Sequence, residues 1–402
     1  MSIITADTRT VLCLSLGGTK VQMGLLDADD RFDTDPEIYW RSALPYETPT
    51  QVFAAWLVDE MSGFLGARGR NWENVDVVGV PFPGPRLDGR WYSNNLPQEF
   101  VGGTRFDAIL AESISMRTQC DIDVKVAYDA QCDAAGELYH PHGRLLGFDG
   151  DATVINIATG VAAGFVADGE LLRTRADYHR IHPSFDLMMG QLGRHLWWNE
   201  GARSWTYFPH GLGELPGSEQ GLSRLTDRLG GPGLAARLMR TLRAEGLVNA
   251  TAADADERLE RAQLASEIEG LGVAAGAYLM RRQPGTLVRT LLQWLDRAYL
   301  GRAKGATDPV AILAERFMDS IIGELAQAIS TFRDAAVGEV YPWRKFTDRI
   351  VLTGGIGIHL ASGTDELPEW AVVNRIARSL PGVEIMRSAL TSATERESYF
   401  FR

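Results

Sequence analysis

Two segments of the chain, residues 11–27 and 153–172, share one layout: an apolar run, a turn of glycine and threonine, and a second apolar run. Short apolar runs around a glycine-containing turn are typical of a β-hairpin. Further strands and helices alternate along the chain, which is the pattern of α/β proteins. The repeated layout therefore predicts an α/β fold with a duplicated architecture, in which two lobes hold a ligand between them.

The remaining elements follow from the spacing of apolar residues. Short apolar runs predict strands at residues 75–80, 124–128, 349–352 and 383–386. Apolar residues three and four positions apart predict helices at 48–65, 129–138, 185–198, 219–244, 262–300 and 309–336.

Composition and charge exclude several classes of partner. The chain has 402 residues, a formal net charge of -12 and no cluster of Lys or Arg. Nucleic acids and anionic membranes bind basic surfaces, so we expect neither as a partner. The cysteines Cys13, Cys120 and Cys132 lack the spacing of a metal site and predict reduced thiols. With no signal-peptide pattern and no membrane-spanning apolar run, a cytoplasmic protein is expected.

The first turn, Gly17-Gly18-Thr19-Lys20, has the composition of an anion-binding loop. Adjacent glycines let backbone N–H groups approach a phosphate, and Thr19 adds a hydroxyl donor. The spacing is neither that of a Walker A loop nor that of the dinucleotide-binding GxGxxG motif. A plain hairpin turn is the alternative for this segment.

Two further glycine-containing turns could hold other parts of the same ligand. Thr159-Gly160 lies in the second hairpin, and Gly354-Gly355 separates a predicted strand from a helix. Facing the first turn across a cleft, they could grip a polyphosphate and leave a nucleoside close to the glycine backbone. The alternatives are an ordinary hairpin turn and a strand–helix connection that needs close packing.

Asp129 stands where a predicted strand ends and a helix begins. The carboxyl ends of strands form the usual ligand crevice of α/β folds, so a carboxylate there suits a general base that accepts a hydroxyl proton. The alternative is an N-cap, in which the carboxylate accepts from N–H groups of the first helical turn. Asp133, one turn further on, is expected to be an exposed helix carboxylate.

A loop rich in proline and glycine, residues 79–85, precedes Asn94 and Asn95. Such a composition indicates a stiff, ordered loop. An asparagine amide both donates and accepts hydrogen bonds, which suits the hydroxyl groups of a polyol. A local Asx cap is the alternative for both side chains.

Taken in order, these segments resemble the ROK family of sugar kinases. Residues 14–20 (LSLGGTK) are similar to the family's DxGGTK phosphate motif, and residues 126–137 (VAYDAQCDAAGE) are similar to its NDANAAALGE segment. Other family segments have counterparts at residues 79–97, 158–172, 303–313 and 351–357. The similarity extends over most of the chain, which is longer than single family members usually are.

The resemblance implies a two-lobed, actin-like ATPase (ribonuclease-H-like) fold with a ligand cleft between the lobes. Residues 1–128 would form the N-terminal α/β lobe, joined by the C-terminal helix at about 388–402. Residues 129–387 would form the larger α/β lobe, with helical insertions at about 173–222 and 245–300. A homodimer is expected from the family alone.

The resemblance also implies an activity: family members transfer the γ-phosphate of ATP, with a divalent metal such as Mg2+, to a hydroxyl of a sugar. Asp129 would then be the catalytic base and would contact the metal through water. The residues that would bind ATP and its phosphates are Gly17, Gly18, Thr19, Lys20, Thr159, Gly160, Gly354 and Gly355. Those that would bind the acceptor are Asn94, Asn95, Tyr128, Gln191 and Arg194.

The chain departs from the family's pattern in several segments. In the first motif Ser15 replaces the acidic residue, and at the acceptor site Tyr128 replaces an Asn. The Glu and His of the family's sugar-binding GExGH segment are replaced by Gln191 and Arg194. The changed donors and acceptors favour a cyclitol or an unusual sugar over glucose. The family's CxCGxxGC segment is absent, so we expect no structural zinc.

Other functions on the same scaffold are the alternatives. A non-catalytic sugar sensor or pseudokinase is conceivable because of Ser15, although a sensor would not need Asp129. A phosphatase or a carbohydrate-binding ATPase with the actin-like fold is a further alternative. A DNA-binding repressor is not expected, because it would carry a helix-turn-helix domain before the first motif.

Overall fold

A computed structural model gives the structure of the chain in separate stretches. The described residues are 9–17, 20–29, 31–34, 38, 43–84, 86–87, 89–93, 96–158, 160–171, 196–199, 201–207, 222–230, 234, 237, 241, 244, 309–335, 349–362, 377–378, 382–390 and 392–402.

The described elements alternate between strands and helices. The strands are β1 (Val11–Leu16), β2 (Val21–Leu26), β3 (Phe32–Thr34), β4 (Val77–Phe82), β5 (Arg86–Leu87), β6 (Arg90–Trp91), β7 (Asp123–Tyr128), β8 (Ala152–Ile157), β9 (Val161–Ala167), β10 (Glu170–Leu171), β11 (Leu196–Asn199), β12 (Ser204–Tyr207), β13 (Leu222–Arg224), β14 (Arg349–Thr353) and β15 (Glu384–Arg387). The helices are α1 (Thr50–Gly66), α2 (Phe106–Thr118), α3 (Asp129–Tyr139), α4 (Leu225–Leu229), α5 (Pro309–Ala335), α6 (Gly354–Ser362) and α7 (Ala393–Ser398).

The chain divides into two compact units. Unit 1 contains Met1–Asp149, Gly169–Arg173 and Ala389–Arg402, and unit 2 contains Gly150–Asp168 and Thr174–Ser388. The first division falls after residue 149, whereas the sequence suggested 128, because α3 packs against α7 and the strands of unit 1. The last residues of the chain therefore return to unit 1.

Unit 1 is built on a five-stranded sheet in the order β3-β2-β1-β4-β7. β1 and β2 form an antiparallel hairpin whose register ends with Leu16 opposite Val21. β4 runs parallel to β1, and β7 runs parallel to β4. The turn after β1 and the end of β7 thus lie at the same edge of the sheet, because β1 and β7 point the same way.

Aromatic side chains fix β4 against helices α1 and α2. The rings of Phe100 and Phe106 meet edge to face with centroids 5.3 Å apart, and the Phe82 ring lies 5.6 Å from Phe100. Phe53 of α1 joins them with its centroid 6.1 Å from Phe100, and none of the four side chains is exposed. Such contacts between large rings hold the strand ends in fixed positions.

Unit 2 repeats part of this arrangement, with four strands in the order β9-β8-β14-β15. β8 and β9 form an antiparallel hairpin, β14 runs parallel to β8, and β15 runs parallel to β14. In the long helix α5, Glu324 pairs with Arg228 and Arg237 at 2.9 and 2.8 Å. The hairpin predicted at residues 153–172 and the helix predicted at 309–336 are confirmed.

The helix predicted at 185–198 is wrong where the structure describes it. The helix predicted at 219–244 is wrong at its start, but the described residues 225–229, 234, 237, 241 and 244 are helical. Residues 196–199 form strand β11, which pairs with β12 and β13 in a three-stranded sheet. Residues 222–224 form β13, and only then does the short helix α4 begin. The segments LWWN and SWTY are rich in aromatic residues, which are enriched in strands, and this composition favours a sheet more strongly than the helical spacing favours a helix. The helix predicted at 262–300 lies outside the described residues.

None of the helices in the described stretches is long and apolar enough to cross a membrane.

Candidate active site

The first predicted phosphate turn joins β1 to β2 in unit 1. The N–H of Gly17 donates to the carbonyl oxygen of Lys20 at 2.7 Å, which closes the turn. Gly18 and Thr19, between them, lie outside the described residues. The structure therefore places the two ends of this motif at the edge of the sheet where β7 also ends.

Asp129 is the first residue of α3, immediately after the last residue of β7. Its Oδ1 accepts from the N–H of Ala130 at 2.8 Å. The N-cap is Tyr128, whose side chain makes no capping hydrogen bond. Asp129 is thus not the N-cap residue, although its carboxylate accepts from an N–H of the first helical turn, as a capping side chain does.

The surroundings of Asp129 change its acidity. Burial raises the pKa of its carboxyl group, and the negative charge of Asp133 raises it further, to about 7, against hydrogen bonds from backbone N–H groups. Burial disfavours the charged form of an acid, and a like charge nearby has the same effect. Asp129 is half-buried and not fully enclosed. Asp129 is therefore a carboxylate that can accept a proton near neutral pH.

Asp133 is fully buried, so the prediction that it is an exposed helix carboxylate is wrong. Its Oδ1 accepts from Nε of Arg396 on α7 at 2.7 Å. Arg396 is 2% exposed, and its Nη1 also donates to the carbonyl oxygens of Leu390 and Ser392. A buried carboxylate requires such a partner, and this one comes from a distant part of the chain.

A further carboxylate, Glu397, approaches the first motif from α7. It is 3% exposed, and it forms a side-chain hydrogen bond with Ser15 of β1. Burial raises the pKa of Glu397 well above its usual range, and the charges of Asp133 and Asp129 act in the same direction. Its Oε2 is buried without a hydrogen-bond partner in the described structure.

Helix α7 lies in direct contact with α3. A Cβ atom added to Gly136 would lie 2.5 Å from the carbonyl oxygen of Arg396 and 2.7 Å from its Cα. No side chain fits in that space, so the glycine of the AAGE segment permits the close approach of the two helices. Glu137, the next residue, is fully buried, and its Oε2 accepts from the N–H of Arg144 at 2.9 Å.

Unit 2 brings two of the predicted turns together. In the hairpin turn the N–H of Ala158 donates to the carbonyl oxygen of Gly160 at 2.9 Å. Gly354 begins α6 with a φ of +80°, and a Cβ there would lie 2.7 Å from the carbonyl oxygen of Ile157 at the end of β8. Gly354 therefore packs against the hairpin, whereas Gly355 is exposed, and a Cβ there would contact nothing within 4 Å.

Several predicted site residues cannot be placed. Tyr128 is described: it is the last residue of β7 and immediately precedes Asp129. The predicted site residues that lie outside the described stretches are Gly18, Thr19, Asn94, Asn95, Thr159, Gln191 and Arg194.

No three His, Cys, Asp or Glu side chains in the described stretches are arranged to hold a metal ion directly. All three cysteines are free thiols, and Cys13 and Cys132 are buried. The absence of a structural zinc stays a prediction, because much of the second half is not described.

Sequence reasoning missed Arg396 and Glu397 altogether. The segment SATERESYFF has no apolar periodicity that would indicate a buried face, and charged residues are rarely buried. The available signal was indirect: a helix rich in charge that returns to a lobe has to find partners for its charges.

Comparisons with known proteins agree with this architecture. A sequence model of the ROK family matches residues 11–179. Among curated protein sequences, no match was found.

Solved structures share the fold over nearly the whole chain. A ROK family glucokinase from Streptomyces griseus, in complex with glucose and AMPPNP, is 17% identical with a TM-score of 0.55, over 97% of both chains. A ROK hexokinase from Thermus thermophilus is 17% identical with a TM-score of 0.52, over 97% of this chain and 96% of the other. A ROK family transcriptional regulator, a homologue of the E. coli MLC protein, is 16% identical with a TM-score of 0.54, over 98% and 78%.

At these identities the structural likeness establishes the fold and not the activity. The predicted actin-like ATPase fold is confirmed by the two sheets and by the neighbours that share them. The sequence match covers the segment that contains the first motif, Asp129 and the second hairpin. Residues 11–179 are thus similar in sequence to the ROK family, and the fold of the chain resembles that of ROK family structures.

Proposed function

We propose that the protein transfers the γ-phosphoryl group of ATP to a hydroxyl group of a sugar or a sugar-like cyclitol, with Asp129 as general base. The observation that carries the proposal is the carboxylate of Asp129 at the carboxyl end of a parallel strand, with a pKa of about 7. A general base is most effective when its pKa lies near the working pH. The glucokinase and hexokinase of similar fold are consistent with this reaction class.

In the proposed reaction, Asp129 accepts the proton of the acceptor hydroxyl while that oxygen forms a bond to the γ-phosphorus. The bond between the γ-phosphorus and the bridging oxygen breaks, and ADP leaves with the electron pair. The transferring group carries little covalent bonding in this kind of transition state, so positioning and charge stabilisation supply most of the catalysis. The acceptor hydroxyl is proposed to be an exocyclic hydroxymethyl group.

The nucleotide is proposed to bind through the backbone groups of three glycine-containing turns. The turn between Gly17 and Lys20 and the turn at Thr159-Gly160 would hold the phosphates, since N–H groups in such turns bind anions without a basic side chain. Gly354 and Gly355 would line the nucleoside site. The open space beside Gly355 supports this part of the proposal.

A divalent cation fits the charge distribution of unit 1. Asp133, Glu137 and Glu397 are buried there with one buried guanidinium, that of Arg396. Mg2+ keeps several of its waters and binds one or two carboxylates together with substrate phosphates, so it does not need three direct protein ligands. Asp129 would contact it through water, and the ion would neutralise charge on the phosphates.

The acceptor is proposed to differ from glucose. Asn94, Asn95, Tyr128, Gln191 and Arg194 would contact it, and an arginine only donates hydrogen bonds. The double variant Gln191→Glu with Arg194→His should shift acceptor preference towards a plain hexose, measured as relative kcat/KM over a panel of sugars. An unchanged preference would show that these residues lie away from the acceptor.

Replacing Asp129 tests the proposal most directly. The assay is ADP release from ATP and Mg2+ with a panel of hexoses and cyclitols, for wild type and Asp129→Asn. The variant should lose about a hundredfold or more in kcat, because general base catalysis contributes that much, while retaining ATP binding. Full activity in Asp129→Asn would exclude the general-base role.

Asp123→Asn is the matched control for this experiment. Asp123 begins β7, the strand that leads to Asp129, and its replacement removes the same charge. It is exposed and pairs with the partly exposed Lys125 at 3.3 Å. Its kcat should equal that of wild type. Equal losses in both variants would point to a general effect on β7 and not to proton transfer.

A non-catalytic sugar sensor is the second candidate, because Ser15 stands where the family's first motif has an acidic residue. The transcriptional regulator of similar fold shows that this scaffold is not confined to kinases. A sensor would bind a sugar with no ADP release across the panel, and Asp129→Asn would leave that binding unchanged. A homodimer is a further part of our proposal, and light scattering after size exclusion would test it.

A further inference from the structure

Unit 1 buries three carboxyl groups beside one buried guanidinium. Asp133 and Glu137 are fully buried and Glu397 is 3% exposed, whereas Arg396 is the buried guanidinium beside them. Arg396 donates to Asp133, and Glu137 accepts from a backbone N–H. Of the three carboxylates, Glu397 is the one with a buried oxygen that has no hydrogen-bond partner in the described structure.

Glu397 has one hydrogen bond and one orphaned oxygen. Ser15 bonds to its carboxyl group, while Oε2 is buried and has no partner among the described residues. A buried acceptor without a partner costs roughly 1–3 kcal/mol, and an apolar residue at this position would avoid that cost. Packing alone gives no reason for a carboxylate here, so the free oxygen indicates a ligand that is positively charged or donates hydrogen bonds.

The anchoring of α7 holds Glu397 in place. Arg396, the preceding residue, bonds to Asp133 and to two backbone carbonyl oxygens, and Gly136 lets α7 approach α3 closely. Burial and the charge of Asp133 raise the pKa of Glu397 well above its usual range, and the Ser15 hydroxyl acts in the opposite direction. A nearby cation would also favour the ionised form. A carboxylate fixed in this way is suited to orient the water shell of a cation.

We propose that Glu397 supplies the acidic group that the first motif lacks, and that it positions, with Asp129, the water shell of the divalent cation. Ser15, where an acid would stand in the motif, then acts as the hydroxyl that orients the carboxylate of Glu397. Glu397 is a positioning residue, because it acts on the substrate through the cation and its water. The inference rests on the proposed function for the presence of the cation, but it concerns a separate property, cation binding.

Binding of Mn2+ tests the inference without turnover. Free Mn2+ is measured by electron paramagnetic resonance during titration of the full chain with AMPPNP present, for wild type and Glu397→Gln. We expect Glu397→Gln to weaken Mn2+ binding about tenfold or more, the size of effect found for residues that orient metal ligands. Unchanged Mn2+ affinity in this variant would overturn the inference.

Glu395→Gln is the matched control. Glu395 lies on the same helix and loses the same charge, but it is more exposed and pairs with His140 at 3.2 Å. Its Mn2+ affinity should match that of wild type. An equal loss in Glu395→Gln would attribute the effect to α7 as a whole and would contradict the inference.

Moving the charge separates a role in cation binding from a structural one. The double variant Ser15→Asp with Glu397→Gln restores one carboxylate to the same contact from the opposite side. We expect the double variant to bind Mn2+ with an affinity within about threefold of wild type. That remaining loss is much smaller than the loss of about tenfold or more expected from Glu397→Gln alone. A double variant that binds as poorly as Glu397→Gln would contradict the inference.

If Glu397→Gln does not fold, as judged by circular dichroism, Ser15→Ala provides the second measurement. Loss of the orienting hydroxyl should weaken Mn2+ binding measurably, and unchanged affinity would count against the inference. The proposed function is judged separately by ADP release. If Mn2+ binding depends on Glu397 but no phosphoryl transfer is found, the proposed kinase activity is refuted and the inference about Glu397 stands. If phosphoryl transfer is found but Mn2+ binding does not depend on Glu397, the inference is refuted and the proposed kinase activity stands.

Discussion

The two units contain the same arrangement of four strands but place different chemistry at its edge. In unit 1 the order is β2-β1-β4-β7, and in unit 2 it is β9-β8-β14-β15, each an antiparallel hairpin followed by two parallel strands. The helix after β7 carries Asp129, Asp133 and Glu137 within its first nine residues. Helix α6, after β14, begins with Gly354-Gly355 and contains no acidic residue.

The difference shows two ways of preparing a strand end for an anionic ligand. Unit 1 concentrates charge and depends on Arg396 of α7 to neutralise part of it. Unit 2 exposes backbone and depends on the geometry of Gly354, which only glycine adopts readily. Unit 1 should therefore be sensitive to changes of charge, and unit 2 to changes of shape.

Arg396→Met should have the largest effect on stability. The variant leaves Asp133 buried without its charged partner, and breaking a buried pair in this way costs roughly 3–5 kcal/mol. Chemical denaturation of both proteins measures the change in the free energy of unfolding. Arg349→Met is the control, since Arg349 pairs with the largely exposed Glu384 and should cost about 1 kcal/mol or less. If both variants lose a similarly small free energy of unfolding, the buried pair contributes no more to stability than the exposed pair does.

Gly354→Ala should have the next largest effect, and it addresses the shape of unit 2. A side chain at a φ of +80° is strained by roughly 1–3 kcal/mol, and its Cβ would also overlap the carbonyl oxygen of Ile157. We expect a lower melting temperature and weaker AMPPNP binding. Gly355→Ala, one residue on, fills open space and should leave the melting temperature unchanged. Equal melting temperatures for the two variants would show that the glycine geometry does not control this edge.

The pH dependence of phosphoryl transfer should report the ionisation of the carboxyl group of Asp129 in unit 1. We expect this effect to be the smallest of the three in free energy. The pKa of Asp129 is raised to about 7, so the carboxyl group is protonated below that pH and cannot accept a proton. We expect kcat/KM to rise through an acid limb near pH 7 and to fall about tenfold per pH unit below it. The Asp123→Asn variant should keep the same limb. A rate independent of pH between 5 and 8 would contradict the assignment.

The sequence predicts well those features that depend on neighbouring residues. Both hairpins, α1 and α3 are found close to the predicted residues, because strand runs, glycine turns and helical spacing are local signals. The position of Asp129 at a strand–helix junction was also predicted from local pattern. These features locate the edge of each sheet at which the candidate site lies.

The features that the sequence did not predict depend on distant contacts. Asp133 was expected to be exposed because nothing near it in sequence indicates a partner, and its partner Arg396 lies 263 positions away. The strand at 196–199 is short, and its aromatic pairing with β12 outweighs a helical pattern. Glu397 could not be connected to Ser15 before the fold placed α7 against β1.

The contact between α3 and α7 also sets the order in which the molecule can be completed. A chain made on the ribosome exposes β1, β4 and α3 long before residues 393–398 are synthesised. Until then Asp133 has no guanidinium beside it and Ser15 has no carboxylate. A nascent chain can therefore form the first sheet early. The contact between α3 and α7 forms only when a very long loop closes, and closing such a loop is slow and entropically costly. The charged centre of unit 1 should thus form only after residues 393–398 have been synthesised.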